Sequence, residues 1–357
     1  MSVGCSPASC LRLHGVDVPG GFLGRVGSGG ANTIVGVSRT SWAQHTNGRL
    51  PSKRMQGSAP PASVLEVSAP KRALVTGTSS GIGLATALRL AQEGFEVFAG
   101  MRDISRASDL QTAAAARGLD VAVISLDVDD DASVASAFAG VGALDVLVNN
   151  AGICPLGPIE EMPLAEWKAI FETNLFGAVR CTQAALPAMR KRGFGHIVNI
   201  SSVSSVCTPP IFGAYAASKA ALEAASEALA AEVAPFGIAV SIVVVGAVKT
   251  AMQKKAAPPP TAVYRQALRN GGLFAAHLHS GASDAEVIAE AVTGIVSGSV
   301  GAAPLRTPAG HGAAELCALD AQLGAAERNA LFALPTSEFL RGWEERTGQD
   351  LTQHSRV

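Results

Sequence analysis

The chain has 357 residues, with 28 basic and 29 acidic side chains for a formal charge of −1, so it carries no electrostatic footprint for nucleic acid or an anionic membrane. Its longest apolar stretch, near Ile238–Val248, is too short to span a bilayer. Six cysteines show no C-x-x-C and no paired spacing with histidine; this usage fits reduced thiols in a cytosol-like compartment, with no disulfide framework and no metal site.

Residues 1–68 differ in composition from the rest of the chain. Six basic residues up to Arg54 face one acid, Asp17, among many Ser, Gly and Pro, with no sustained periodicity. Three readings stay open: a disordered and dispensable tail, an organellar transit peptide over residues 1–54, or a native start at Met55. The first and last place the protein in the cytoplasm, and the second in an organelle.

From Lys71 the pattern changes. KRALVTG is a short buried strand, TSSGIG a tight turn, and LATALRLAQEG a helix stopped by Gly94. FEVFAGMR and AVISLDV read as strands two and three, separated by a helix through Leu110–Arg117. A helix around Ala132–Phe138 leads to strand four, LDVLVNNAG, and a long helix over Trp167–Met189 leads to strand five, GHIVNIS. A helix opening near Tyr215 and a sixth strand, IAVSIVVVG, complete the series. Continuously apolar strands alternating with helices indicate a parallel sheet covered on both faces. The expected fold is therefore α/β, a doubly wound parallel sheet of Rossmann type over residues 69–303. Within it, 251–281 has weak pattern and reads as a mobile segment over a substrate. Ser283-x-x-Glu286 reads as a capping box for the next helix. Residues 304–357 form a helical C-terminal extension with one short strand at most.

Two constellations carry chemistry. Gly77, Gly81 and Gly83, spaced G-x-x-x-G-x-G, fall between strand one and helix one, where missing β-carbons let the backbone approach a pyrophosphate at a helix N-terminus. Thr78, Ser79 and Ser80 add hydroxyl donors there. At the end of strand two, where an acid usually binds a ribose 2′-hydroxyl, stand Met101 and Arg102; a guanidinium suits a 2′-phosphate, so NADP(H) is favoured over NAD(H). Asp103 either pairs with Arg102 or faces solvent. Asp127 and Val128, closing strand three, border the adenine. The second constellation is Ser202, Tyr215 and Lys219. Tyr215 and Lys219 share one helix face, and a fixed cation lowers the pKa of a phenol from its usual value of about 10. Tyr215 then serves as general acid/base, with Ser202 bonding the same substrate oxygen.

These motifs together resemble the short-chain dehydrogenase/reductase family. The likeness rests on TGTSSGIG at 76–83, DV at 127–128, NNAG at 149–152, Asn174, Ser202 and YAASK at 215–219, within Lys71–Thr250. The resemblance implies catalytic roles for Asn174, Ser202, Tyr215 and Lys219. In it Lys219 holds the nicotinamide ribose, Asn174 anchors a water relaying protons to Lys219, and Asn149 also braces the central strands. It also implies cofactor contacts from Gly77, Ser79, Ser80, Gly81, Ile82, Gly83, Arg102, Asp127, Val128, Asn149, Ala151, Gly152, Tyr215, Lys219, Val248 and Thr250. Val245-Gly246 stands where the family usually has Pro-Gly, and Ser80 where many NADP-preferring members carry a basic residue. GFEVFAGMRD and the C-terminal extension are similar to the branch handling hydroxysteroids, retinoids and other apolar alcohols. The implied activity is NADP(H)-dependent interconversion of an apolar ketone or aldehyde and its alcohol, in a homodimer or homotetramer built on the Trp167–Met189 and Tyr215–Val233 helices. The rival readings are a non-catalytic NADP(H) sensor and an epimerase or dehydratase; the last would carry a G-x-x-G-x-x-G turn, which this chain does not show.

Overall fold

The computed structural model describes residues 70–252, 261–298 and 304–354, all within the compact unit Glu66–Val357. The expectations for residues 1–68 lie outside them. Seven strands are described: β1 (Arg72–Thr76), β2 (Glu96–Met101), β3 (Val121–Ser125), β4 (Val146–Asn149), β5 (Gly195–Ser202), β6 (Ile238–Val245) and β7 (Arg306–Ala309). They form one sheet in the order β3-β2-β1-β4-β5-β6-β7, every pair parallel. The helices are α1 (Gly81–Gln92), α2 (Ser108–Ala115), α3 (Asp131–Val141), α4 (Leu164–Phe171), α5 (Gly177–Arg192), α6 (Gly213–Val233), α7 (Arg265–Ser280), α8 (Ala285–Ser297), α9 (Ala313–Ala333, broken at Gly324) and α10 (Thr336–Thr347).

Side-chain alternation along the strands divides the core between two faces. Ala73, Val75, Val146 and Val148 pack under α1 and α8, against Leu88, Ile288 and Val292. Leu74, Leu147 and Ile197 face the opposite way, onto Phe138, Cys181 and Met189 of α3 and α5. Burial on both faces is why these strands read as unbroken apolar runs. A third cluster joins Ile242 and Val244 of β6 to Phe274, Phe332, Phe339 and Trp343 of α7, α9 and α10. Phe274 meets Trp343 edge-on, ring centroids 5.1 Å apart, the arrangement the ring quadrupoles favour.

Three expectations differ from the structure. The helix expected over 167–189 begins at Leu164 and is interrupted by a π-helical segment, Glu172–Phe176, around Asn174. Within 251–281, residues 265–280 are helical, and residues 253–260 lie outside the described ones. The Gly271-Gly272 pair hid this helix. Gly271 passes so close to the next loop that a β-carbon would stand 2.8 Å from the Pro210 carbonyl oxygen, so close packing rather than a break explains that glycine. The Ser283 capping box does not form: the Ser283 hydroxyl accepts from the His311 N–H at 3.0 Å, and α8 starts after Asp284. β7, at the head of the C-terminal extension, is the seventh strand of the sheet, paired to Ile242–Val245.

The strand order reverses between β1 and β4, and a doubly wound sheet opens its ligand crevice at such a switch point, beyond the carboxyl ends of the strands. Gly77 follows β1 there and Asn150–Gly152 follow β4. Thr76 ties the two ends together, its hydroxyl accepting from the N–H groups of Asn150 and Ala151, both at 3.0 Å.

Candidate active site

A crevice of about 510 Å³ lies over the switch point, lined by Gly77, Ser79–Gly83, Met101–Asp103, Arg106, Leu126–Asp129, Asn150–Pro155, Thr173 and Thr250–Met252. Gly77 holds a φ of +70°, and a β-carbon there would sit 2.8 Å from the Ala151 Cα. At Gly83 a β-carbon would meet the Gly77 carbonyl oxygen at 2.4 Å. Glycine at both positions is therefore a requirement of the backbone path. Ser80 occupies the cap position of α1 but makes no capping bond, so the N–H groups of the first turn stay open to an anion. Thr78 corrects the expectation of a third hydroxyl donor: it is fully buried and its hydroxyl donates to the Gly100 carbonyl at 3.1 Å.

The crevice runs into a second cavity of about 350 Å³, sharing Ile82, Asn150, Gly152, Cys154, Thr250 and Met252 with it. Ser202, Tyr215 and Lys219 lie together on this cavity. Around them its lining is mostly apolar, with Leu156, Val203, Phe212, Phe274 and Leu278; His279 adds one imidazole from α7. The Ser202 Oγ accepts from the Ser204 N–H at 3.2 Å, which leaves its proton to be donated outward. Lys219 is buried, its Nζ donating to the Ile200 carbonyl at 2.8 Å and lying 6.0 Å from the centre of the Tyr215 ring.

The ionisation of this trio differs from the expected simple depression of the phenol. Burial raises the Tyr215 pKa above its ordinary value, with the Cys154 thiol adding to the rise and a hydrogen bond from Ser202 opposing it. Burial likewise lowers the Lys219 ammonium to about 8, with Cys154 and Glu223 opposing the fall. Desolvation disfavours the charged form of each. In the protein alone Tyr215 is thus a protonated phenol. The Cys154 thiol, pushed up to about 12 by burial, is an inert filler.

The sequence-expected residues divide into those at the surface of the site and those beneath it. Gly77, Ser79, Ser80, Gly81, Ile82, Gly83, Arg102, Asp127, Val128, Ala151, Gly152 and Thr250 line the nucleotide crevice, whereas Val248 lines the inner cavity. Asn149 lines neither cavity; it closes β4, 4 % exposed, and its amide donates to Thr182 and to Asn199 of β5, so of its two expected roles it makes the contacts of the bracing one. Its neighbour Asn150 takes the crevice position, donating to the Thr76 and Gly77 carbonyls at 2.8 and 3.1 Å. Asn174 is 1 % exposed and lines neither cavity. Its side chain is committed to the Ile153 backbone at 2.8 and 3.0 Å and to the Ser218 hydroxyl at 2.9 Å. Asp103 does not pair with Arg102; it caps a 3₁₀ turn, Ile104–Arg106, through Ser105. The cap of α3 is Asp130, which leaves Asp127 to the crevice.

Glu223 was not foreseen. It lies one helical turn beyond Lys219, 3 % exposed. One carboxylate oxygen accepts from the Ser201 and Ser205 hydroxyls on either side of Ser202, and the other accepts from the Arg306 Nε at 2.8 Å. The backbone that carries Ser202 is thereby tied to α6 and to β7. Only the arrangement of a buried acid beside a lysine could have signalled it, and single-sequence spacing does not show burial.

A glycine-walled crevice at a sheet switch point, ending on a hydroxyl, a phenol and an ammonium, defines a nucleotide-binding α/β protein with proton-transfer groups at one end of its ligand. The chain belongs to the short chain dehydrogenase family, whose sequence profile matches residues 71–260. It is 44 % identical to retinol dehydrogenase 8 of Bos taurus over 193 residues, covering 52 % of this chain and 62 % of that one. To 17-beta-hydroxysteroid dehydrogenase type 1 of Homo sapiens it is 40 % identical over 198 residues, covering 53 % and 60 % respectively. The chain thus spans about three fifths of the length of these relatives. The crystal structure of a short-chain dehydrogenase from Streptomyces avermitilis superposes with a TM-score of 0.64 at 35 % identity, over 78 % of this chain and 97 % of that one.

Proposed function

We propose that the protein is an NADP(H)-dependent oxidoreductase that interconverts a hydrophobic ketone or aldehyde and its alcohol by hydride transfer, with Tyr215 as general acid/base. The observation that carries this reading is the convergence of Ser202, Tyr215 and Lys219 on one apolar cavity continuous with the nucleotide crevice. The crevice fits a dinucleotide: its glycines clear the backbone, and the uncapped N-terminus of α1 offers N–H donors to a pyrophosphate. When bound, the nicotinamide supplies or accepts the hydride.

The chain's own residues do the rest. In reduction Ser202 donates to the carbonyl oxygen, and Tyr215 passes its proton to that oxygen as negative charge develops. Lys219 holds a positive charge beside the phenolate that results. Asn174 acts from beneath by fixing Ile153, and so the loop between the two cavities. The apolar walls favour a substrate whose bulk is hydrocarbon, consistent with the likeness to retinol and hydroxysteroid dehydrogenases. Assembly as a homodimer or homotetramer through α4, α5 and α6 belongs to the same proposal, and light scattering of the purified chain reads it.

The test is a turnover screen: purified chain with NADPH, absorbance followed over ketones, aldehydes, quinones, steroids and retinals. Oxidation of NADPH with one of these classes is expected. NADPH that binds and is never oxidised would point instead to a sensor and sink the enzyme reading. Arg102 lines the crevice just beyond β2, where a guanidinium complements a 2′-phosphate and a carboxylate repels it. Arg102→Asp is expected to cut the NADPH-over-NADH affinity ratio by roughly tenfold or more, measured by nucleotide fluorescence titration. An unchanged ratio would refute the NADP(H) preference.

A further inference from the structure

We propose that Arg106 is a second reader of the ribose 2′-phosphate, brought beside Arg102 by a 3₁₀ turn that also ties off the acid between them. This rests on the dinucleotide reading of the crevice and deepens it. Arg102 and Arg106 both line the outer end of the nucleotide crevice. Among the described residues neither guanidinium has a hydrogen-bond or ion-pair partner, whereas Arg72, Arg89, Arg180 and Arg306 are each paired with carboxylates. Two arginine side chains left unpaired at one end of a ligand crevice leave ten N–H donors without acceptors, a set suited to a phosphate dianion.

The difficulty is the acids lining the same end, Asp103, Asp127 and Asp129. Each is engaged by its own surroundings. Asp103 accepts from the N–H of Ser105 at 3.0 Å and from its hydroxyl at 2.6 Å, and the Arg106 N–H closes the turn onto the Asp103 carbonyl at 3.2 Å. The bond that occupies the carboxylate is thus the one that shapes the turn carrying Arg106. Asp127 accepts from the Asp129 N–H at 3.2 Å. One Asp129 oxygen accepts from the Thr173 hydroxyl at 2.9 Å, the other is buried without a hydrogen-bond partner among the described residues, and burial raises the carboxyl pKa. The acid that follows Arg102 in the sequence therefore serves the turn rather than pairing with either guanidinium, and both arginines keep their donors for a ligand.

The experiment is equilibrium binding to the full chain, with NADPH and NADH as probes and with 2′,5′-ADP and 5′-AMP to isolate the extra phosphate. Arg106→Ala is expected to weaken NADPH and 2′,5′-ADP about five- to tenfold and to leave NADH and 5′-AMP within about twofold. Ser105→Ala, which frees Asp103, is expected to weaken the same two phosphate-bearing probes. Equal loss for all four probes, or no loss for any, overturns the inference while leaving the dinucleotide site intact. Failure of the unaltered chain to bind either dinucleotide overturns both. Arg106 is exposed, so an unchanged melting temperature is expected and separates these outcomes from misfolding.

Discussion

Tyr215→Phe is expected to lower turnover by about 10²- to 10⁴-fold while NADPH binding and melting temperature stay near those of the unaltered chain. The substitution removes one oxygen from a ring that lines the inner cavity. No backbone contact of α6 depends on that oxygen, and the nucleotide crevice is built from other residues. What disappears is the group that can deliver a proton to a developing alkoxide. Stopped-flow or steady-state assays on whichever carbonyl class the screen identifies give the number. Turnover within twofold of the unaltered chain would remove Tyr215 from the mechanism.

The pH dependence follows from the same side chains. Burial keeps the Tyr215 phenol protonated through the neutral range, so the proton donor for reduction is present there. The Lys219 ammonium, which favours the phenolate left behind, is held down to about 8. As pH rises through that value the ammonium loses its charge and the product phenolate loses its stabilisation. The reductive kcat is therefore expected to be level near neutrality and to fall across about pH 8. A reductive kcat that climbs through pH 8 would contradict the assignment.

How much of this was legible depended on whether a function lives in local spacing or in long-range contact. The glycine turn, Arg102 and the Tyr215–Lys219 pair are short-range patterns, and their places follow from the strand or helix that carries them. Strand membership was equally visible because both faces of the sheet are buried. Asn149 and Asn150 show the limit. Adjacent residues at a strand end point to opposite sides, so deciding which one faces the crevice requires the register of β4 on β5. Thr78 shows another: whether a hydroxyl is free depends on the Gly100 carbonyl, 22 residues away in sequence. The helix at 265–280 was hidden because Gly271 serves a neighbour, the Pro210 carbonyl, that no local window contains. The expected fall in the Tyr215 pKa failed for a related reason. Spacing places a cation near the phenol, but it does not report the desolvation that acts on both.

Glu223→Ala is expected to destabilise the chain by about 1–3 kcal/mol, the cost of taking the acceptor from a buried donor. Arg306 is about half exposed and also meets Glu227 at 2.7 Å, so losing this partner costs it little. The Ser205 hydroxyl also has the Ser202 carbonyl within reach at 2.6 Å, whereas the Ser201 hydroxyl, which donates to the same carboxylate oxygen, has no second acceptor. That one buried donor left without an acceptor carries most of the loss. Glu223→Gln keeps an acceptor for the serines and forfeits the charge and the acceptor facing Arg306, so it should fall between the two chains. The midpoint of thermal unfolding is expected to drop by roughly 5 °C for alanine and by less for glutamine. Turnover should drop in the same order, because the Ser202 backbone is held between those two serines and Lys219 loses the buried anion that favours its charge. An alanine variant as stable and as active as the parent would show that the carboxylate is a bystander, and that β5 and α6 alone hold Ser202 against Tyr215.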